Sequence, residues 1–336
     1  MNMAWASSNK QIIYSGIQPT GVVHLGNYLG ALSNWVHLQT DYSCIYCIVD
    51  LHALTVRMDS AEFSKKCRET FAMLIAVGID PARSILYMQS QVAAHSELAW
   101  ILNCYTYMGE LNRMTQYKEK SQKNEDNINA GLFTYPVLQA ADILLYKTNF
   151  VPIGEDQRQH LELSRDVAER FNNVHGGVFV VPDILIPRIG ARIKSLQDPE
   201  KKMSKSDKGG EGSIVYLTDE PDVIRSKIKK AVTDSDSKVS YSSDKPGVSN
   251  LLDIYAAVKR ISIEETLAAL GSCSYGALKE AVAEAAVAAL EPIKQRYAAA
   301  LSNKIQLEST MRTNAGRAQA IASGTMIQVR NKLGLL

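Results

Sequence analysis

Two groups of side chains, about 180 residues apart, have the types and spacing to handle a polyphosphate. The first is His24-Leu25-Gly26-Asn27, reached through the turn Pro19-Thr20-Gly21. His24 and Asn27 bring two uncharged hydrogen-bond donors to a place where a helix begins. Free backbone N–H groups and the helix dipole there favour an anion, and glycine lets the backbone approach it closely. The second group is Lys202-Met203-Ser204-Lys205-Ser206. Two lysines three apart, with hydroxyls between them, can close over a polyphosphate and neutralise the charge that develops as pyrophosphate leaves. Either group alone has a plain alternative, since any α/β domain has such a turn and most basic surface loops are simply solvated. Their combination points to a nucleotide.

The elements that must position these groups follow from hydrophobic periodicity. The run from Gln11 alternates like a strand and breaks at Gly16, and Leu25, Leu29, Leu32 and Val36 then recur at helical spacing. Cys44–Asp50 reads as a second, buried strand that emits Asp50-Leu51-His52-Ala53. Ala61–Val77 reads as a helix stopped by Gly78 and Pro81, and Ser84–Gln89 as a third strand. The alternation predicts right-handed βαβ units and a parallel sheet, with ligands outside the carboxyl ends of the strands. The stretch from His95 to Asn129 is helical and charged, carrying Lys118, Lys120 and Lys123, and looks inserted between two halves of the sheet. The second half gives a helix from Gly131, a strand over Asn149–Gly154 and another helix opening at Gly154-Glu155-Asp156. The apolar face of that helix is His160, Leu163, Val167 and Phe171, and Val178–Val181 is the next strand-like run.

Composition shifts at DPEKKMSKSDKGGEG, residues 198–212, which is polar and lysine-rich and reads as a surface loop. Helices dominate beyond it. A stripe of Leu278, Val282, Ala285, Ala289, Ile293 and Tyr297 includes Pro292 as a candidate kink. The fold class is therefore α/β: a Rossmann-like parallel sheet with a helical insertion, followed by a C-terminal α-helical domain. The divisions are 1–212 for the catalytic domain, with the insertion over about 91–130 and the lysine loop over 198–212, and 213–336 for the helical domain.

With 46% hydrophobic and 21% charged residues and a formal net charge of +2, the chain has an ordinary globular composition, which neither requires nor excludes an anionic partner. Residues 276–336 hold eight Lys/Arg against four Glu, a mild basic excess that suits a polyanion or a solvated face. No apolar run reaches membrane-spanning length, so a cytoplasmic address and no membrane partner are expected. Five cysteines suit a reducing compartment. Cys44 and Cys47 are spaced like half a zinc site, but on a strand they face opposite ways, and no metal site is expected.

HLGN followed by KMSKS resembles the paired signatures of the class I aminoacyl-tRNA synthetases. The runs SGIQPTG, GNYLGAL, CIVDLHA, GIDP, GELNRMTQYKEKS, NINAGLFTYPVLQAADILLY, VPIGEDQRQHLELSRD, KKMSKSD and AVTDSD, in this order, are similar to the bacterial tryptophanyl-tRNA synthetase branch over nearly the whole chain. The chemistry agrees. Activation is attack of an ionised carboxylate on the α-phosphate of ATP, which needs positioning and charge stabilisation and no strong base. The sequence shows neither a Ser/His/Asp triad nor a catalytic-cysteine pattern. The resemblance implies His24, Asn27, Lys202 and Lys205 as catalytic residues. It implies an ATP site formed by Gln18, Pro19, Thr20, Gly26, Asn27, Gly154, Glu155, Asp156, Ile193, Lys202, Met203, Ser204, Lys205 and Ser206, with Mg2+ bridging the phosphates.

Tryptophan selection falls to Asp142 in QAADILLY, because a buried carboxylate is the natural acceptor for the lone indole N–H. By resemblance Tyr135 and Gln157 hold the α-amino group, Gln18 the carboxylate, and Tyr14, His52 and Gln139 wall the ring. Three positions depart from the family. His24 replaces a common threonine, Gln139 stands where many relatives carry methionine, and Leu51 replaces glutamine. Gln139 also resembles the tyrosyl-tRNA synthetases, so tyrosine specificity is an alternative. A small-molecule adenylyltransferase and a non-catalytic tRNA-binding paralogue are others, the first disfavoured by chain length and the second by the intact phosphate ligands. The implied partners are L-tryptophan and tRNA(Trp), the latter held by the C-terminal helices, and a second copy of the chain in a homodimer.

Overall fold

The computed structural model describes residues 10–19, 21–116, 128–154, 157–186, 192–204 and 210–335. Thr20, Lys118, Lys120, Lys123, Glu155, Asp156, Lys205 and Ser206 lie outside them.

Strand β1 (Ile12–Ile17) enters a helical segment through Leu25–Asn27 and a π-helical turn, Tyr28–Leu32, that continues into α1 (Ser33–Asp41). Strand β2 (Ser43–Ile48) is buried at every position, as expected for a strand covered on both faces. The short helix Asp50–Ala53 follows, then α2 (Ser60–Val77). Asp59 caps α2 by accepting from the N–H groups of Ala61 and Glu62, and Gly78 ends it at φ 115°, a left-handed conformation that glycine adopts without strain. Strand β3 (Ile85–Met88) leads through Gln89–Gln91 into α3 (Ala94–Asn103).

The second half begins with α4 (Ala130–Leu144), capped by Asn129 and continuous through Pro136, followed by β4 (Phe150–Pro152), α5 (Arg158–His175) and β5 (Asp183–Leu185). Val178–Val181, expected as a strand, is not one. The Asn172 side chain accepts from the N–H groups of Val178 and Phe179 and donates to the Phe179 carbonyl, so the backbone groups that a strand would offer are already taken. Pairing starts only at Asp183, whose N–H reaches the Asn149 carbonyl at 2.8 Å.

The five strands are parallel in the order β3-β2-β1-β4-β5. The chain therefore reverses direction across the sheet between β1 and β4, the place where open α/β sheets leave a crevice. Alternate residues of β2 feed two cores. Cys44, Tyr46 and Ile48 join the cluster under α2, while Ile45 and Cys47 join the one under α3, α4 and α5. Cys44 and Cys47 thus point to opposite faces.

Beyond residue 210 the described chain is helical: α6 (Pro221–Lys229), α7 (Pro246–Lys259), the short Ile263–Leu270, α8 (Tyr275–Ser302) and α9 (Lys304–Leu333). Helix α8 runs through Pro292 and packs on α2, α6 and α7. Helix α9 returns to the sheet and lies along β3, its outer strand. There the Asn314 side chain accepts from the Leu86 N–H, and the Arg317 guanidinium donates to the carbonyls of Pro81 and Ser84.

Candidate active site

His24 caps the helix that starts at Leu25. Its Nδ1 accepts from the Asn27 N–H, and the Asn27 side-chain oxygen accepts from the His24 N–H, both at 3.3 Å. With Nδ1 accepting, the neutral imidazole carries its proton on Nε2, and the Asn27 amide keeps its NH2 for donation. The turn is stitched to a distant segment. Leu25 N–H donates to the Val215 carbonyl at 2.8 Å, and Leu217 N–H to the Val23 carbonyl at 3.0 Å.

The lysine signature grows from a small antiparallel stem. Met203 N–H donates to the Ile193 carbonyl, Lys194 bridges Lys202, and Ser195 N–H donates to the Lys201 carbonyl. Asn250 on α7 fixes this stem from the side: its oxygen accepts from Lys194 N–H at 2.8 Å and its NH2 donates to the Lys194 carbonyl at 3.0 Å. Ile193 and Met203, both 1% exposed, are buried in the stem, while Lys202 is exposed. Gly26 permits the contact between signatures. A Cβ there would lie 3.3 Å from the Met203 Cβ and 3.2 Å from the His24 ring. Gln18, His24, Asn27 and Ser204 line a cavity of about 290 Å3 beside the two signatures.

A larger cavity of about 450 Å3 opens at the switch point between β1 and β4. Tyr14 and Gln18 reach it from β1 and the turn after it, Gly154 from the end of β4, and Tyr135, Gln139 and Asp142 from α4. His52 and Gln157 complete the wall. Gln18 borders both cavities. Pro19 is buried beside it.

Asp142, 1% exposed, is the electrostatic centre of the larger cavity. Its Oδ1 accepts from His95 Nδ1 and Gln89 Nε2, both at 2.6 Å, and its Oδ2 from His52 Nε2 at 2.8 Å. Burial alone would push this carboxyl up, but the histidines beside it and their hydrogen bonds hold it below the usual carboxylate range. The neighbouring phenols of Tyr14, Tyr87 and Tyr146 and the Cys47 thiol are pushed well up, chiefly by burial. Tyr14 stacks on Tyr146 with ring centroids 5.8 Å apart. The Tyr135 hydroxyl bonds His160 Nε2 at 2.9 Å and donates to Gln116 Oε1 at 3.3 Å, and Gln139 Nε2 lies 3.5 Å from Gln157 Oε1.

Three polar residues around this site, His95, Gln116 and His160, were not singled out from the sequence, and Gln89 was expected only as the carboxyl end of the third strand, where ligands bind. Gln89 and His95 are fully buried polar residues at the end of a buried strand and the start of the next helix, and that polarity in YMQSQVAAH is the signal that could have found them. His160 sits on an apolar helical face, where it reads as core, and Gln116 lies within the run MTQYKEKS.

Residues 7–291 match the family model of class I tRNA synthetases (W and Y). Among relatives, the tryptophan–tRNA ligase of Clostridium tetani is 49% identical over 98% of this chain and 97% of its own length. The crystal structure of tryptophanyl-tRNA synthetase from Mycoplasma pneumoniae superposes with a TM-score of 0.86 at 34% identity, covering 97% of this chain and 98% of that one. The Campylobacter jejuni enzyme complexed with ADP and tryptophan gives 0.83 at 31% identity, covering 97% and 100%. A parallel sheet with its crevice at the switch point, the two signatures in contact and these full-length likenesses agree: the chain belongs to the class I tRNA synthetases of the tryptophan and tyrosine (W and Y) family.

Proposed function

We propose that this chain is a tryptophan–tRNA ligase that activates L-tryptophan with ATP and transfers it to the 3′-terminal adenosine of tRNA(Trp). One observation carries the reading: a cavity built around the buried Asp142 carboxylate adjoins, through Gln18, a second cavity lined by His24, Asn27 and Ser204. The first suits an apolar ring bearing a single N–H donor, the second a chain of phosphates. Named relatives of the same length act on tryptophan, and one was crystallised with tryptophan and ADP.

In the first step a carboxylate oxygen of tryptophan attacks the α-phosphorus of ATP in line, forming the acyl–phosphate bond as the bond to pyrophosphate breaks. His24 Nε2–H and the Asn27 amide donate to phosphate oxygens at the helix start. Lys202 and Lys205 follow the β- and γ-phosphates and neutralise the departing pyrophosphate. Gln18 orients the attacking carboxylate, and Tyr135 and Gln157 hold the amino group. In the second step the 2′-hydroxyl of the terminal adenosine attacks the acyl carbon and AMP leaves. No described residue lining the phosphate cavity is a carboxylate, so magnesium would ride on the phosphate oxygens, adding positive charge there.

Residues 213–336 would hold the anticodon arm of the tRNA. A homodimer is supported by large apolar side chains left exposed, among them Leu54, Trp100 and Met108. No described helix is long and apolar enough to cross a membrane, and we place the enzyme in the cytoplasm. The test is ATP–pyrophosphate exchange with tryptophan and tyrosine side by side. Exchange with tryptophan alone is expected. Exchange with tyrosine would reassign the Asp142 cavity, and exchange with neither would leave a tRNA-binding module.

A further inference from the structure

We propose that His95 and Gln89 are positioning residues for indole recognition: by occupying Asp142 Oδ1 they leave Oδ2 alone to accept the ring N–H of the substrate. This rests on the tryptophan reading above and assigns a role to two residues outside the wall of the cavity. A carboxylate offers about two acceptor sites on each oxygen. On Oδ1 both are used, by His95 Nδ1 and Gln89 Nε2 at 2.6 Å each. On Oδ2 one is used, by His52 Nε2 at 2.8 Å. The remaining site belongs to a residue that lines the cavity.

The two donors on Oδ1 are themselves fixed from behind. His95, fully buried, has the Tyr87 hydroxyl at 2.8 Å and the Tyr146 hydroxyl at 3.0 Å from its Nε2. A ring that accepts a hydroxyl proton at Nε2 carries its own on Nδ1, which is the proton Asp142 receives. Gln89, also fully buried, accepts from Leu51 N–H at 3.2 Å, which sets its NH2 toward Asp142. Three stretches of the chain, Leu51–His52, Tyr87–His95 and Asp142–Tyr146, therefore aim one lone pair. Acid against an analogue lacking the N–H separates this arrangement from mere packing, because a carboxyl deprived of these donors protonates more readily and then accepts poorly.

The groups facing Asp142 are His52, His95, Tyr14 of β1, Cys47 of β2 and Tyr146 after α4, with Tyr87 of β3 behind His95. Burial keeps the phenols and the thiol protonated through the neutral range, so they do not respond to acid here.

The experiment measures KM in ATP–pyrophosphate exchange between pH 5.5 and 8.5. It compares tryptophan with its benzothiophene analogue, in which sulfur replaces the N–H. His95→Leu removes the donor and also leaves two hydroxyls without their acceptor. Gln89→Met is the gentler variant, since Leu51 N–H keeps its second acceptor, Asp50 Oδ1 at 3.1 Å. His95→Asn puts an amide donor back near the Nδ1 position. For tryptophan, the KM of His95→Leu relative to wild type should be raised at pH 8.5 and rise further as the pH falls to 5.5, and Gln89→Met, which leaves both histidines on the carboxylate, should show the smaller rise. His95→Asn should stay flat, and the sulfur analogue should show no such rise. An equal rise for both amino acids, or no rise for either, would overturn the proposal by showing that the two residues only pack. A wild type that uses both amino acids equally well would instead overturn the Asp142 contact itself.

Discussion

Gly26 is where the two signatures touch, and Gly26→Ala tests whether that contact matters to catalysis or only to folding. Nothing in the backbone forbids alanine there, and in a helix alanine is favoured over glycine by about 1 kcal/mol. Against that, the new Cβ would meet His24 ring atoms at 3.2 Å and the Met203 Cβ at 3.3 Å, inside the ordinary 3.5–4.0 Å separation of carbon atoms. Relief requires shifts of a few tenths of an ångström, and overpacking of this kind costs ~1–3 kcal/mol. The two effects nearly offset, so the net loss of stability should lie between zero and ~2 kcal/mol. For a chain of this length that is a fall of about 3 °C or less in the melting temperature. Catalysis has no such offset. His24 and the stem carrying Lys202 both move, and misplacement of reacting groups by 1 Å costs on the order of a hundredfold. A shift of a third of that predicts about a fivefold lower kcat for exchange. The KM for tryptophan should stay within about twofold, because the Asp142 cavity is built from other residues. An unchanged kcat, or a KM for tryptophan raised as much as kcat falls, would refute the reasoning.

Asn250→Ala should remove both hydrogen bonds to the Lys194 backbone, lowering the stability of the fold by about 2 kcal/mol in denaturant titration. It should also slow exchange without weakening tryptophan binding, and a variant as stable as the wild type would count against the clamp. Asp142 sits below its ordinary carboxylate value, so the stability its ionised form contributes is complete above about pH 4 and fades as pH falls through the depressed value. The gap in denaturation midpoint between wild type and Asp142→Asn should therefore shrink on acidification below pH 4. A gap that widens would mean that the sign of the shift is wrong. Lys205→Ala should lower the turnover of adenylation far more than the affinity for tryptophan, since its proposed contact forms as pyrophosphate departs; equal losses in both would contradict that role.

The parts of the fold that can be read from local pattern were legible. β2 shows an unbroken apolar run, α2 carries a glycine stop at Gly78, and the turn at His24 announces a helix start. Asp142 and the residues expected to wall its cavity do converge there, because side chains at the carboxyl ends of parallel strands meet near the switch point. What escaped depends on partners far apart in the chain. Val178–Val181 has strand-like residues, but the Asn172 side chain competes for its backbone. The role of Asn250 is invisible in PGVSNLLDIY, since its partner is 56 residues upstream. His95 and Gln89 bond to a carboxylate 47 and 53 residues away, and periodicity assigns polar residues to no such network.

Helix α9 lies along β3, whose free edge it covers through Asn314 and Arg317. An open strand edge is a template for pairing with other chains. Almost 250 residues separate β3 from the end of α9, so at ~5–20 residues per second a ribosome leaves that edge uncovered for tens of seconds. The nascent protein is thus most exposed to mispairing during its own synthesis, and the last long helix to emerge is the one that ends the hazard.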